Sequence, residues 1–143
     1  MYIGYYKDLI RLGNIVLLDM SVNNDDIINQ CEFVATATGQ TGWEAILKDK
    51  PAVIFSHPWY EKCPYAYHID DIDIMKLISN KPQIDRKEID KYYSQYLAST
   101  FPGSTNLVVA HALGISMEEN IQSISSSINL KLDEWGIDKY IDQ

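Results

Sequence analysis

The chain of 143 residues has few basic side chains: 12 Lys and Arg residues stand against 20 Asp and Glu residues, a formal net charge of −8. A surface that binds a nucleic acid backbone or an anionic lipid needs clustered Lys and Arg side chains. The shortage of positive charge therefore argues against nucleic acid as a partner.

Cysteine and long apolar runs are also scarce. The two cysteines, Cys31 and Cys63, are too few for a disulfide framework and lack the CxxC spacing of a metal site, so we expect no bound metal. No apolar run approaches the roughly 18 to 20 residues that cross a bilayer, and no signal-peptide pattern follows Met1. These absences predict a chain that does not itself enter a membrane, in a reducing, cytoplasmic setting.

What the sequence does have is enough apolar material for one core. Its hydrophobic content is 46%, and its length suits one globular domain but is short for two ordinary ones. We therefore expect residues 1–143 to form a single domain.

Apolar segments and helix starts alternate in the first 60 residues. Residues 14–21, 32–38 and 51–56 have the composition of strands, and the second is typical of a strand covered on both faces. Asn and Asp residues open a helix after the first segment, and residues 41–48 favour another. This alternation predicts an α/β fold with a Rossmann-like parallel sheet flanked by helices, in which ligands bind beyond the carboxyl ends of the strands.

The second half of the chain has helical patterns. A short helix is expected with Asp70 or Asp71 as its cap, and the box Asp85-x-x-Glu88 opens an amphipathic helix. After the break at FPGSTN, the box Ser116-x-x-Glu119 opens the clearest helix. Its apolar stripe consists of Met117, Ile121, Ile124, Ile128, Leu132 and Trp135. The chain should thus end in two amphipathic helices.

A turn with two glycines joins the second predicted strand to its helix. The turn consists of Thr38, Gly39, Gln40, Thr41 and Gly42. Helix N-terminal N–H groups and hydroxyls at this place can hold an anion, and glycine lets a diphosphate approach the backbone. A purely structural interpretation is equally open, because Thr41-x-x-Glu44 fits a capping box and Gly39 can simply turn the chain.

Residues 36–60, TATGQTGWEAILKDKPAVIFSHPWY, resemble the donor-site segment of the capsule polysaccharide biosynthesis family of glycosyltransferases, which includes the capsular Kdo transferases. That family has a T-G-x-x-G-[WF]-E-A-L-x-x-G-K-P-V core followed by a strand and an aromatic-rich loop. The segment is similar, more distantly, to the C-terminal domain of UDP-N-acetylglucosamine 2-epimerase and other GT-B enzymes. Asp49 stands where glycine usually precedes Lys-Pro, and Ser56 replaces a glycine after the strand.

The resemblance implies a donor site with named residues. Residues 38–42 would hold the phosphates of a nucleotide sugar, and Glu44 would reach the ribose or sugar hydroxyls. His57, Trp59 and Tyr60 would surround the base or sugar, where an aromatic face and an imidazole suit a neutral sugar beside a phosphate. Ordinary packing under a long loop is the alternative for both aromatic residues. Neither a cofactor nor a catalytic residue is implied.

The remaining polar clusters have simpler interpretations. His68 and His111 are expected to be structural histidines. The acidic run at residues 70–73 resembles a metal-binding pair only superficially, because consecutive aspartates before a helix more often face its positive end.

The resemblance also implies that part of the protein is missing. GT-B enzymes bind the acceptor on an N-terminal domain, and their C-terminal domain begins with two strands that precede anything visible here. In the order 3-2-1-4-5-6, the strand at Asn14 would be separated from the strand at Phe33 by those two. Either a partner chain fills this gap, or the strand order is rearranged, or the sequence is a fragment of a longer protein. We favour the fragment, and therefore expect an incomplete GT-B C-terminal domain, inactive alone, that needs its acceptor domain or a partner chain.

The expected function is donor binding within a glycosyltransferase for capsular or surface polysaccharide, whose parent protein associates peripherally with a membrane export complex. Two alternatives stay open. One is a nucleotide-sugar 2-epimerase-like enzyme, and the other is a non-catalytic Rossmann-like remnant or interaction module.

Overall fold

The strands form one small parallel sheet in the computed structural model, which describes residues 4–137. They are β1 (Val34–Thr36), β2 (Ala52–Ile54) and β3 (Ala66–His68), in the spatial order β1-β2-β3. Both pairs of neighbours run parallel. The expected α/β class, a parallel sheet with flanking helices, is therefore confirmed at this coarse level.

Seven α-helices lie within residues 4–137: α1 (Tyr5–Arg11), α2 (Asn24–Gln30), α3 (Thr41–Leu47), α4 (Ile74–Ser79), α5 (Arg86–Ala98), α6 (Leu107–Ala112) and α7 (Met117–Glu134). None of them combines the length and the apolar content that crossing a bilayer requires. The chain divides into two compact units, the first extending to Tyr92 and the second beginning at Tyr93.

The core of the first unit lies against α3 and β2. Ala52, Val53 and Ile54 are all buried, so both faces of the central strand are covered, which explains why this segment shows no polar alternation. The core cluster consists of Trp43, Ile46, Ala52, Ile54, Tyr60, Cys63, Tyr65 and Ile89. Three of these residues come from the loop between β2 and β3, so that loop is part of the core.

The predicted strand at residues 14–21 is wrong. Residues 15–19 have no regular secondary structure, and the side chains of Val16 and Leu18 are 81% and 56% exposed. A strand needs a neighbour to receive its backbone hydrogen bonds, and among residues 4–137 β1 pairs only with β2. The sheet's third strand is instead β3, whose three half-buried residues carry too short a pattern to be recognised in the sequence.

The helix expected after residue 21 does form. Asn23 is the N-cap of α2, and its Oδ1 accepts a hydrogen bond from the N–H of Asp25 at 2.9 Å. The helix at residues 74–79 also forms, but its cap is Asp73 and not Asp70 or Asp71. Asp73 is the residue immediately before the first helical turn, which is where a side-chain oxygen reaches the free N–H groups.

The start of α5 is capped in an unexpected way. Oδ1 of Asp85 accepts from the N–H of Lys87 at 2.9 Å, but Glu88 does not close the predicted box. Its carboxylate accepts from the hydroxyl of Tyr65 at 2.7 Å, and that hydroxyl accepts from the N–H of Asp85 at 2.8 Å. A tertiary contact therefore replaces the local one.

The second unit contains α6 and α7. The predicted capping box is confirmed: Ser116 Oγ accepts from the N–H of Glu119, and the Glu119 carboxylate accepts from the N–H of Ser116. The apolar stripe of α7, however, is not its buried face. Asn120 is 1% exposed. Its Oδ1 accepts a hydrogen bond from the N–H of Ser104, and its Nδ2 donates to the C=O of Ser104, both at 2.8 Å.

Most of that apolar stripe is exposed, with four of its six residues more than half accessible: Met117, Ile121, Ile128 and Trp135. The helix contacts the preceding segment partly through polar groups, since Ser127 Oγ also donates to the carbonyl of Pro102 at 3.2 Å, and partly through Ile124, which packs against Gly103. Sequence periodicity correctly indicates the helix but not which side packs.

Helix α3 ends in a turn with a left-handed residue. The N–H of Asp49 donates to the C=O of Ile46, and the N–H of Lys50 donates to the C=O of Ala45, which is the Schellman pattern. Asp49 occupies the position where glycine is usual and has a φ of +59°. Only glycine adopts this conformation without steric cost.

We predict that Asp49→Gly raises the free energy of unfolding by about 0.5–1 kcal/mol, because it removes the left-handed strain. The ion pair between Asp49 and Arg86 would be lost, but both partners are largely exposed, and such pairs contribute little. Asp49→Asn removes the charge alone and should leave stability nearly unchanged. Urea denaturation of the three proteins measures the difference, and an Asp49→Gly variant less stable than wild type would contradict the prediction.

Candidate functional site

The turn between β1 and α3 is held by two hydrogen bonds to Gly39. Its N–H donates to Thr36 Oγ1 at 3.1 Å, and its C=O accepts from the hydroxyl of Tyr60 at 2.6 Å. Thr36 ends β1, and Tyr60 belongs to the loop after β2. The turn thus has a fixed position at the carboxyl edge of the sheet, where open parallel sheets bind ligands.

Gly42 packs directly on the Tyr60 ring. A Cβ at this position would overlap the hydroxyl oxygen, and would lie 2.9 Å from Tyr60 Cζ and 3.0 Å from Thr36 Cγ2. Tyr60 is 0% exposed, so its ring has no free space into which to move. The glycine is therefore required by packing, whatever a ligand does.

Aromatic side chains cover the first turn of α3. The Trp43 and Trp59 rings lie 4.8 Å apart between centroids, and Trp59 Nε1 donates to Gln40 Oε1 at 3.2 Å. The hydroxyl of Tyr92 donates to the carbonyl of Trp59 at 2.8 Å. These contacts fix the loop after β2 against the turn before α3.

The predicted site residues divide by exposure. Thr38, Gln40 and His57 are exposed, whereas Gly42 and Tyr60 are buried. Gly39, Thr41, Glu44 and Trp59 are intermediate. The turn and the loop therefore do meet, but the buried tyrosine supports the site from below and does not line its surface.

The predicted capping box at Thr41 and Glu44 is wrong. Gln40 is the N-cap residue of α3, has a helical conformation and makes no side-chain cap hydrogen bond. Because Thr41 is already the first helical residue, its hydroxyl lies past the capping position. Among the described residues, the Gln40 and Thr41 N–H groups have no hydrogen-bond acceptor.

His68 is the residue that the sequence interpretation missed. It ends β3, and its imidazole stacks on that of His57 with centroids 6.0 Å apart and an interplanar angle of 18°. His57 follows β2, so the two rings come from neighbouring parallel strands. Recognising β3 in the sequence would have placed His68 at the same edge.

Each imidazole has a carboxylate beside it. His57 Nδ1 lies 2.7 Å from Glu61 Oε2, and His68 Nδ1 lies 3.3 Å from Asp70 Oδ2. Within residues 4–137, no three His, Cys, Asp or Glu side chains are grouped so that they could hold a metal ion. Burial raises the pKa of the Cys63 thiol in the same loop, which disfavours the thiolate that metal binding or nucleophilic chemistry needs.

A surface cavity of about 420 Å³ lies beside the 3₁₀-helix that follows β3. Its lining includes Tyr67, Asp71, Asp73 and Lys76. Burial raises the pKa of Tyr67, so this phenol stays a neutral hydrogen-bonding group. The volume lies within the range of small-molecule pockets.

Comparison with known proteins adds no relative. No protein-family model matches the chain, and no significant match was found among curated proteins or solved structures.

We predict that Gly42→Ala lowers the free energy of unfolding by about 1–3 kcal/mol, the usual cost of overpacking a core. Alanine is intrinsically favoured in a helix by up to about 1 kcal/mol, but the fixed Tyr60 ring opposes it. The measurement is chemical denaturation followed by tryptophan fluorescence.

Gly42→Ala combined with Tyr60→Phe provides the control. Removing the hydroxyl oxygen relieves part of the overlap, so the double variant should lose less stability than the sum of the two single variants. A Gly42→Ala protein as stable as wild type would show that packing does not require this glycine.

Proposed function

We propose that this chain is the donor-binding part of a GT-B glycosyltransferase for capsular or surface polysaccharide. The observation that carries the proposal is the joint position of the turn at residues 38–42 and the loop containing His57 at the carboxyl edge of a parallel sheet. Both segments belong to the stretch that resembles the capsule polysaccharide biosynthesis family.

The conformation of Asp49 supports the resemblance independently. The family motif usually has glycine at this place, and here the residue has a φ of +59° and ends α3 in a Schellman turn. A glycine in the motif is what such a backbone favours. At position 49 the chain therefore keeps a backbone conformation that favours glycine, although the residue is aspartate and not the glycine of the family motif.

The donor phosphates would lie against the exposed side of the turn. The hydroxyl of Thr38 and the N–H groups of Gln40 and Thr41 are the donors that this edge offers, and a developing phosphate charge on the departing nucleotide is stabilised by such fixed donors. His57 and Trp59 would contact the base or sugar from the neighbouring loop. Glu44 would reach the sugar hydroxyls.

The exposed apolar segment at residues 15–20 supports the need for another domain or chain. Contiguous exposed apolar side chains mark interaction sites, and the outer side of β1 has no neighbouring strand in the described sheet. We propose that the two missing first strands of this domain, or strands of a partner chain, lie between this segment and β1. The complete cytoplasmic protein would then associate with a membrane export complex.

The donor proposal predicts weak binding of CMP- or UDP-linked sugars, with a Kd of about 1 mM for this chain. Saturation-transfer NMR should detect the contact, and Thr38→Val should weaken it severalfold because a phosphate hydrogen bond is lost. Thr105→Val, an equally exposed threonine in the second unit, should change nothing. If neither this chain nor its full-length parent protein shows any contact with a nucleotide, the alternative of a non-catalytic interaction module is favoured.

The partner proposal predicts a change in amide exchange at residues 15–20. These amides should exchange rapidly in the isolated chain and become protected when the missing strands are supplied, either in a longer chain or by the product of a neighbouring reading frame. Lys81 and Gln83, in the loop between α4 and α5, are the internal reference. Equal exchange at residues 15–20 with and without the added strands would remove the proposal.

A further inference from the structure

The surface cavity of about 420 Å³ beside α4 has polar lining groups without partners in the described part of the chain. Asp71 and Lys76 both line it, yet neither makes an ion pair with the other or with any other residue in 4–137. Within the same residues, the hydroxyl of Tyr67 and the side-chain amide of Asn80 make no hydrogen bond. These groups therefore keep their hydrogen-bonding capacity for a ligand or for water.

The deeper part of the lining is apolar. Leu77 is buried, and Tyr67, Ile72 and Pro82 are half-buried. The charged and amide side chains of the lining, by contrast, belong to exposed residues. The cavity thus combines an apolar inner surface with a polar rim, which is the usual composition of a small-molecule site.

The polar rim extends along the whole of α4. Asp73 is the N-cap of this helix and Asn80 is its C-cap, so a rise of 1.5 Å per residue places their Cα atoms about 10 Å apart. Lys76 lies between them on the helix. The rim therefore offers carboxylate acceptors at one end, an amide at the other end and an ammonium donor between the two.

We propose that this cavity binds a neutral pyranose sugar, with the C–H face of the ring on the apolar lining and the hydroxyls on the rim. Each hydroxyl both donates and accepts hydrogen bonds, so a ring that carries hydroxyls around its perimeter can use Asp71, Lys76 and Asn80 together. The site shares no residue with the turn at 38–42. It therefore does not depend on the proposed donor-binding function.

Other small ligands match the lining less well. A phosphate would meet two carboxylates, Asp71 and Asp73, against the single ammonium of Lys76, and the like charges oppose its binding. An amino acid carries both charges that the rim could pair, but it carries them on one carbon. It cannot reach rim groups at both ends of α4, whereas the hydroxyls of a pyranose point in several directions.

Binding is measured on the full chain with the methyl glycosides of glucose, galactose and mannose as probes. Saturation-transfer NMR detects the bound glycoside, and amide chemical shifts of isotope-labelled protein locate it. At least one glycoside should bind with a Kd of about 1 mM, as expected for a ligand of this size. The shifted amides should lie within residues 67–82.

Two substitutions remove one rim group from each end of α4. Asp71→Ala should weaken glycoside binding by about tenfold, because a hydrogen bond to a charged group is lost, and Asn80→Ala by about threefold. Asp90→Ala in α5 and Asn29→Ala in α2, at equally exposed positions, are the matched controls and should leave binding unchanged. Melting temperatures establish that all four variants are folded.

The outcomes separate this site from the donor site. Failure of all three glycosides to bind overturns the proposal, and so do glycoside-induced shifts at residues 38–42 in place of residues 67–82. Loss of affinity in only one of the two rim variants, or in the controls as well, also overturns it. Glycine or inorganic phosphate that shifts the amides of residues 67–82 when no glycoside does would assign the cavity to another ligand. Nucleotide-sugar contacts at residues 38–42 should persist in both rim variants.

Discussion

The contact between the Tyr60 hydroxyl and the Gly39 carbonyl is the interaction on which the first unit depends. It joins the loop after β2 to the turn before α3. It can form only because Gly42 has no Cβ, since any side chain there would overlap the Tyr60 hydroxyl. The phenol is buried, and burial raises its pKa, so the neutral donor is the only form that suits the site. A small residue, a buried ring and one carbonyl thus fix these two chain segments against each other.

This constraint explains how one loop contains both buried core residues and an exposed imidazole. The chain from Phe55 to Tyr65 must cross from β2 to a parallel strand, and it does so with Tyr60, Cys63 and Tyr65 turned into the core. His57 lies before this buried part and stays at the surface. The rigid section anchors the loop, so the exposed imidazole keeps a defined position beside His68.

The exposed apolar surfaces of the two units have different origins. Residues 15–20 have a strand-like sequence without a strand partner. Helix α7 instead buries Asn120 and exposes much of its apolar stripe, because the amide of Asn120 satisfies both backbone groups of Ser104. Leaving the buried Asn120 amide without these two hydrogen bonds would be costly. Periodicity therefore does not decide which side of this helix packs.

Local chemistry determined the elements that the sequence predicted correctly. The caps at Asn23 and Ser116, the helix at residues 41–47 and the buried strand at residues 52–54 follow from interactions within a few residues. Tertiary structure decided the rest, because it depends on distant partners. In the described part of the chain no strand pairs with residues 14–21, and Glu88 bonds to Tyr65 and not to its own helix start. His68 meets His57 only because β3 lies beside β2, a pairing that no local pattern in the sequence records.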